Sequence, residues 1–511
     1  MTRKPLWACW LSCALLAAAC GGGAGRSTAP PPPPPSTPAL PVLVNFTDSS
    51  VTVSWTASSD TGGPGIGGYY VFRNGNTTLP IAIVTSGTSY MDAILIPGTA
   101  YTYEVAAFDR SAPNPVVSGL SGTLSVTTSG VRPTNVLPVS VDTGPVALTN
   151  SNQLAANTLY ATVTVCTPGN SNACQQIDHV QVDTGSVGLQ IMAEVLNGAA
   201  ALSALTDAGS NNPLRECVQF ADGYVWGSMV VADVQIGGHT LASLPVHLIG
   251  DTQAGAAPAD CVLGPLVNRV TVFGANGVLG VGNFLYDCGM ACVNVVQAAS
   301  YYQCVASSCT PVTAALDHQL RNPVAALAAD NNGVVISLPT VTPPSALSAT
   351  GVLYFGVGTQ PNNTPGAGVS FLTVDNNGAL LTSYTGHALA AGSVIDSGSN
   401  GYFFASSVIS VCTHSFDSSF YCPAMSTPVT GSIIQGVTGP ATKSVDFTVD
   451  SADQLFTVSA AAFPNLAGPN SAPGLPTGSF DWGLPFFYNR SVYVLFENGM
   501  AGGTNGPAVG F

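Results

Sequence analysis

The chain has 511 residues, enough for two to four domains at roughly 150 residues each. Only 7% of the residues are charged, the net charge is −15 and Lys plus Arg total 11, which excludes nucleic acid as a partner, because neutralising phosphates needs clustered cations. Gly, Ser, Thr, Val and Pro are abundant and favour short strands and turns over helices, so the expected fold class is all-β.

At the N-terminus Arg3 and Lys4 precede an apolar run over residues 6–19. The run is too short for a comfortable membrane span and reads as an export signal. The phrase Leu16-Ala17-Ala18-Ala19-Cys20, followed by Gly21 to Gly23, resembles the lipobox of bacterial lipoproteins. That resemblance implies cleavage before Cys20 and acylation of Cys20, with anchorage at the outer membrane of a bacterial envelope. An ordinary signal peptide cut near Ala19, giving a secreted or periplasmic protein, is the alternative. Residues 1–19 are therefore expected to be a signal peptide. Residues 20–38 are expected to be a lipidated Cys and a linker, since the run Pro30 to Pro35 forms an extended polyproline spacer with nothing to bury.

Ten cysteines follow Cys20, an even number, which in an exported chain implies disulfides. Cys166 with Cys174 and Cys412 with Cys422 are the expected local bridges. The connectivity among Cys288, Cys292, Cys304 and Cys309 stays open. No C-x-x-C ligand set for zinc occurs, and no metal or other cofactor is expected.

Beyond the linker, Val51-Thr52-Val53-Ser54-Trp55 alternates, Tyr69 to Arg73 follows a Gly-rich loop, and Tyr101-Thr102-Tyr103-Glu104-Val105 alternates again. The phrase Leu95-Ile96-Pro97-Gly98-Thr99-Ala100-Tyr101 resembles the tyrosine corner of fibronectin type III domains, with Trp55 as the core tryptophan. The resemblance covers residues 39–128 and implies a β-sandwich that spaces or binds. From about residue 130 the chain is a succession of strands between Gly, Asn and Pro turns. The best helix candidates are residues 293–302 and 323–329, the latter opening on Asn322 as N-cap.

Four phrases of the type Asp-[Ser/Thr]-Gly occur, at Asp60, Asp142, Asp183 and Asp396. Any one copy reads first as a turn whose Asp caps its own backbone. Asp60 lies in a loop of the fibronectin-like module, and Asp142-Thr143-Gly144 runs into Pro145. The surroundings of Asp183 and Asp396 set them apart. Residues 159–168 and 179–182 form a strand, a Thr-Pro turn and a strand leading to Asp183-Thr184-Gly185-Ser186. Tyr224-Val225-Trp226-Gly227-Ser228-Met229 follows, then Asn276-Gly277-Val278-Leu279-Gly280. The second half repeats the plan: a strand at Gly351 to Gly356, then Asp396-Ser397-Gly398-Ser399, then Asp481-Trp482-Gly483-Leu484-Pro485-Phe486-Phe487.

This order resembles the pepsin-like aspartic peptidases, a bilobal double β-barrel, with lobes at residues 129–340 and 341–511. The phrase Trp482 to Tyr488 and the paired cysteines also resemble a bacterial family of exported proteins whose domain has no known function. The peptidase resemblance implies a water held between Asp183 and Asp396, one carboxylate acting as base while its protonated partner polarises the scissile carbonyl. It implies that Thr184 and Ser397 lock the two loops together, that Ser186 and Ser399 donate to the outer oxygens of the acids, that Gly185 and Gly398 permit the tight turn, and that Tyr224 closes over substrate as the flap residue. The sequence departs from that pattern in four places. Gln190 stands where a Trp supports the flap, Asn276 replaces an Asp, Asp481 replaces a hydrophobic residue, and Leu484 replaces the Asp after Gly483.

No H-E-x-x-H, G-x-S-x-G or Gly-rich loop with a following Lys is present, which removes the usual zinc peptidase, serine hydrolase and phosphate-binding readings. Two functions compete. The first is an exported, lipid-anchored aspartic endopeptidase acting on polypeptide. The second is a non-catalytic surface lipoprotein that uses the same scaffold for binding or adhesion.

Overall fold

The computed structural model describes residues 2–3 and 33–511, apart from residues 78, 113, 208, 306–307, 415–417, 471–475 and 477. Cys20 and nearly all of the expected export signal and Pro-rich linker lie outside the described residues. The chain divides into two compact units, with the boundary between Arg132 and Pro133.

The smaller unit is a β-sandwich. Val42–Phe46, Ser50–Ser54 and Ser89–Ala93 form one sheet; Ala82–Val84, Ile66–Arg73, Ala100–Asp109 and Leu124–Thr127 form the other. Alternation does the work here: Val51 and Val53 of one sheet, and Tyr101, Tyr103 and Val105 of the other, point into a common core with Trp55, whose ring meets Tyr69 edge-on at 5.4 Å. The corner at residues 95–101 closes when Tyr101 Oη accepts the Ile96 backbone N–H at 2.9 Å. Asp92 is buried at 3% exposure and is satisfied by Arg73, at 2.9 Å, and by the Tyr103 hydroxyl, also at 2.9 Å.

The larger unit is all-β and bilobal. Its main strands are β1 (Val136–Val141), β2 (Leu159–Thr167), β3 (Asn170–Asp183), β4 (Val187–Met192), β5 (Leu214–Phe220), β6 (Gly223–Ile236), β7 (His239–Ile249) and β8 (Gly277–Val281). After them come β9 (Tyr301–Val305), β10 (Gly333–Leu338), β11 (Ala349–Phe355), β12 (His387–Ile395), β13 (Tyr402–Phe403), β14 (Asp481–Trp482) and β15 (Arg490–Leu495). In the first lobe β2, β3, β8, β4, β7 and β6 pair in succession, and β6 pairs back onto β2, so the sheet closes into a barrel. β1 joins the lobes by pairing with β2 on one side and β11 on the other.

Each lobe repeats one crossing. β8 runs parallel to β3 and antiparallel to β4. In the second lobe β14 runs parallel to β12 and antiparallel to β13. Both crossings depend on a glycine, because a side chain at Gly280 would stand 2.6 Å from the Val187 amide, and one at Gly483 would stand 2.2 Å from the Gly401 carbonyl. The fold class is the expected one: a fibronectin type III sandwich followed by a bilobal, pepsin-like double β-barrel.

The helix candidates do not materialise as drawn. The helix near residue 293 is Met290–Asn294 only, and residues 301–305 are strand, with Tyr302 and Cys304 buried on one face and Tyr301 buried on the other. Asn322 does cap a turn, accepting the Val324 amide at 3.1 Å while its side-chain NH2 donates to the Gly282 and Phe284 carbonyls, but residues 323–329 form only a turn and a bend. The ten cysteines after Cys20 are all paired: Cys166–Cys174, Cys217–Cys261, Cys288–Cys292, Cys304–Cys309 and Cys412–Cys422. Five disulfides belong to a protein of an oxidising compartment outside the cytoplasm.

Candidate active site

Strands β3 and β12 begin exposed and become buried only at their C-terminal ends, where β3 ends on Asp183 and β12 ends just before Asp396. Each strand then enters a tight turn whose hydroxyl crosses to the opposite lobe. Thr184 Oγ1 donates to the Ile395 carbonyl at 3.0 Å and accepts the Ser397 amide at 2.9 Å. Reciprocally, Ser397 Oγ donates to the Val182 carbonyl at 2.8 Å and accepts the Thr184 amide at 3.1 Å. Gly185 N donates to Asp183 Oδ1 at 2.7 Å, and Gly398 N donates to Asp396 Oδ1 at 2.8 Å. A local pseudo-twofold axis therefore relates the two turns, and the lock fixes the carboxyls face to face.

Their proximity is visible from the glycines. A Cβ placed on Gly185 would sit 2.8 Å from Asp396 Oδ1 and 3.2 Å from Asp183 Oδ1; one on Gly398 would sit 2.5 Å from Asp183 Oδ1 and 3.1 Å from Asp396 Oδ1. No side chain larger than hydrogen fits either position. Burial pushes the Asp183 carboxyl well above the ordinary range, and the Asp396 charge and a hydrogen bond between the two carboxyls push the same way. Two carboxyls this close resist carrying a charge together. Gly185 is exposed, so the pair reaches solvent on that side. Two carboxyls in this state can take a proton from a water and give one to a polarised carbonyl oxygen.

The outer oxygens are not treated alike. Ser399 Oγ lies 2.8 Å from Asp396 Oδ2, as the resemblance implies. Ser186 lowers the Asp183 proton affinity by its proximity, yet its Oγ is buried without a hydrogen bond of sound geometry. A third carboxyl also joins the group: Asp481 Oδ2 is 2.6 Å from the same Ser399 Oγ.

Tyr224 lies on the β5–β6 hairpin, but the turn falls at residues 221–222, and Tyr224 pairs with Gln219 just after it. The ring is buried with Cys217, Trp226, Cys261 and Tyr302, while the hairpin's other face, Val218, Phe220 and Val225, packs on Val267, Val270 and Phe273. Backbone hydrogen bonds from Tyr224 N to Pro265 O and from Val267 N to Tyr224 O hold the segment in place. β9 pairs along the outer edge of β5. The structure places Tyr224 as a packed residue of a covered hairpin.

Gln190, in the place of the flap-supporting Trp, accepts instead from the wholly buried His247, whose Nδ1 is 3.0 Å from Gln190 Oε1. Burial lowers the His247 pKa to about 3, so the ring is neutral. Sequence reasoning also missed Asn157, a left-handed residue at φ 49° that is fully buried between the lobes. It donates to the Asn400 and Phe463 carbonyls and accepts from Phe463 N and the Tyr488 hydroxyl. Gln181 Nε2 similarly donates to Gly398 O at 2.7 Å. Neither residue carries a motif; each is one amide among many in a chain rich in them. Two cavities of about 840 and 500 Å³ line the side of the first lobe, at residues 239–245 and 311–318, and contain none of the acid-pair residues.

Fold and site together define an all-β, disulfide-bonded bilobal protein with an acid pair between its lobes, carrying a fibronectin type III module. Residues 131–511 match the protein family of unknown function DUF3443, and residues 33–119 match the fibronectin type III domain. The chain belongs to the DUF3443 family. Its module is similar to parts of Endoglucanase B of Cellulomonas fimi, at 36% identity over 99 residues, and Chitinase C of Streptomyces lividans, at 41% over 95 residues. Each match covers 19% of this chain, and the chain spans only 9% and 14% of those relatives. Among solved structures, the aspartic proteinase from Irpex lacteus is similar at 13% identity and a TM-score of 0.43, over 73% of this chain and 96% of that one.

Proposed function

We propose that this protein is an exported aspartic endopeptidase, anchored through a lipid on Cys20, that hydrolyses peptide bonds with a water activated between Asp183 and Asp396. The observation that carries the reading is the reciprocal Thr184–Ser397 lock, which holds two hydrogen-bonded carboxyls against each other across the lobes. Structure alone does not require such a lock for a binding surface, whereas acid–base chemistry needs both carboxyls held rigidly within reach of one water. The ionised acid takes the water proton as the hydroxide attacks the carbonyl carbon. The protonated acid donates to the carbonyl oxygen, and the proton gained from water then goes to the departing amine. Glycine at 185 and 398 lets the two carboxyls approach each other, since a Cβ at either position would meet a carboxyl oxygen.

One observation favours a second reading, a non-catalytic lipoprotein that binds peptide or glycan. The β5–β6 hairpin is covered on both faces and provides no free lid to exclude water. Cleavage of an unfolded protein between pH 3 and 7 separates the two. Wild type is expected to cut, to be blocked by a statine-type inhibitor, and to fall by at least 10³-fold in Asp183→Asn and in Asp396→Asn. Equal activity in wild type and both variants would refute the acid-pair mechanism, and absence of cleavage with retained peptide binding would favour the second reading. Palmitate labelling in the bacterial host, lost on Cys20→Ser, tests the anchor.

A further inference from the structure

The hydrogen-bond arithmetic around Ser399 is incomplete with two acids. A hydroxyl has one proton to give and lone pairs to receive with, and an ionised carboxylate can only accept. Yet Ser399 Oγ sits 2.8 Å from Asp396 Oδ2 and 2.6 Å from Asp481 Oδ2. It can donate to one of them; the other must bring its own proton. The two candidates differ in what else they receive. Asp396 also accepts the Gly398 amide on Oδ1, so an ionised Asp396 has a donor on each oxygen. Asp481 has no such support, since its Oδ1 is buried without any partner. A negative charge there would leave one oxygen bare, whereas a neutral acid donating from Oδ2 would not.

We propose that Asp481 is a third member of the acid centre, a positioning residue that keeps its proton, donates it to Ser399, and thereby fixes the negative charge on Asp396 and the shared proton on Asp183. The chain of donors runs from Asp481 to Ser399 to Asp396, and from Asp183 to Asp396 on the other side. Two protons serve three carboxyls, with a single negative charge. Asp183 suits the protonated role because, among the described residues, only the Gly185 amide donates to it with sound geometry.

The ionisable groups facing Asp481 agree with this. β14, which carries it, lies between β12 and β13, and the charges that act on Asp481 are Asp396 and, next, Asp183; no cation acts on it among the described residues. Arg490 turns instead to the carbonyl and ring of Phe486 and to the Tyr402 hydroxyl. Burial, followed by the Asp396 charge, holds the Asp481 carboxyl well above the ordinary range. In the peptidase reading, on which only the catalytic consequence rests, Asp396 is the base that takes the water proton and Asp183 is the acid that polarises the carbonyl.

The test titrates carboxyls directly, independently of cleavage. The full chain, labelled with ¹³C at the Asp carboxyls, is followed by NMR from pH 2 to 8, with Asp183→Asn, Asp396→Asn and Asp481→Asn assigning the three signals. The expected order of ionisation is Asp396 first, with Asp183 and Asp481 still protonated where surface carboxylates are ionised. Asp481→Asn keeps a donor toward Ser399 and is expected to leave the Asp396 midpoint nearly unmoved. Asp481→Leu removes it and is expected to raise that midpoint by about one pH unit, a tenfold gain in proton affinity. Ionisation of Asp481 alongside the surface carboxylates, ionisation of Asp183 before Asp396, or a fall of the Asp396 midpoint in Asp481→Leu would each overturn the proposal. Should the order hold in a protein that cuts no peptide, the peptidase reading fails and the three-acid centre stands.

Discussion

Thr184→Val probes the lock between the lobes with little change of shape. Valine replaces the hydroxyl by a methyl, so no cavity opens, but two buried backbone groups lose their partner: the Ser397 amide and the Ile395 carbonyl. Thr184 is 7% exposed and Ser397 0%, so water cannot readily replace the hydroxyl. Each buried group left unsatisfied costs about 1–3 kcal/mol, and the pair together about 2–6 kcal/mol. Ser397→Ala removes the mirror-image bonds and carries a similar cost. Because the two hydroxyls serve adjacent groups of one network, the double variant is expected to lose less than the two losses added, with a coupling of about 0.5–3 kcal/mol. Guanidinium unfolding of the full chain with disulfides intact gives these numbers, read from the transition of the larger unit, which contains Trp226 and Trp482. A loss below 1 kcal/mol in each single variant together with strict additivity would show that the lobes are not held by this pair, and the argument for a rigid acid centre would fall with it.

Three other perturbations are informative. Gly398→Ala puts a methyl 2.5 Å from Asp183 Oδ1, so peptide cleavage is expected to drop at least 100-fold with an unchanged circular dichroism spectrum, as measured by initial rates on an unfolded substrate. His179 is held by Asp142 at 3.2 Å and Asp178 at 3.0 Å; burial opposes its charge, but the hydrogen bonds and charges of the two acids prevail and raise its pKa to about 9. A raised histidine contributes stability that is fully present below the unfolded value of about 6.5 and is lost as pH rises through 9. Melting temperatures at pH 6 and pH 10 should therefore converge in His179→Gln relative to wild type. Finally, Cys217–Cys261 closes a separation of 44 residues, against 4 to 10 for the other four bridges. On chain entropy, replacing this pair by serines is expected to cost about 4 kcal/mol, more than removing any other bridge, as compared by guanidinium unfolding.

Short-range grammar was legible in the sequence. Alternation at residues 51–55 and 101–105, the tyrosine corner before Tyr101, the all-apolar run at residues 277–281 and the two Asp-[Ser/Thr]-Gly-Ser turns each depend on neighbours within a few residues, and each folds as its pattern demands. The hairpin of Cys166 and Cys174 was legible for the same reason: the two residues face each other in register. What sequence could not supply was the set of partners that polar residues find at long range. Asn157 reaches Phe463 across 306 positions, Ser399 reaches Asp481 across 82, and Gln190 reaches His247 across 57.

The β5–β6 hairpin shows the limit most clearly. Its motif placed Tyr224 correctly in a hairpin, but whether that hairpin is free or covered depends on residues 254–273 and 299–304, which bring no motif of their own. Sequence by itself determined the strands, the turns and the two acids, because backbone geometry and side-chain alternation are local. Only the tertiary structure decided that the acids meet, that a third carboxyl joins them through Ser399, and that Tyr224 is buried. Those outcomes depend on which buried polar group finds a partner once the lobes have closed, and a carboxyl's proton affinity is set by that enclosure, not by its neighbours in the chain.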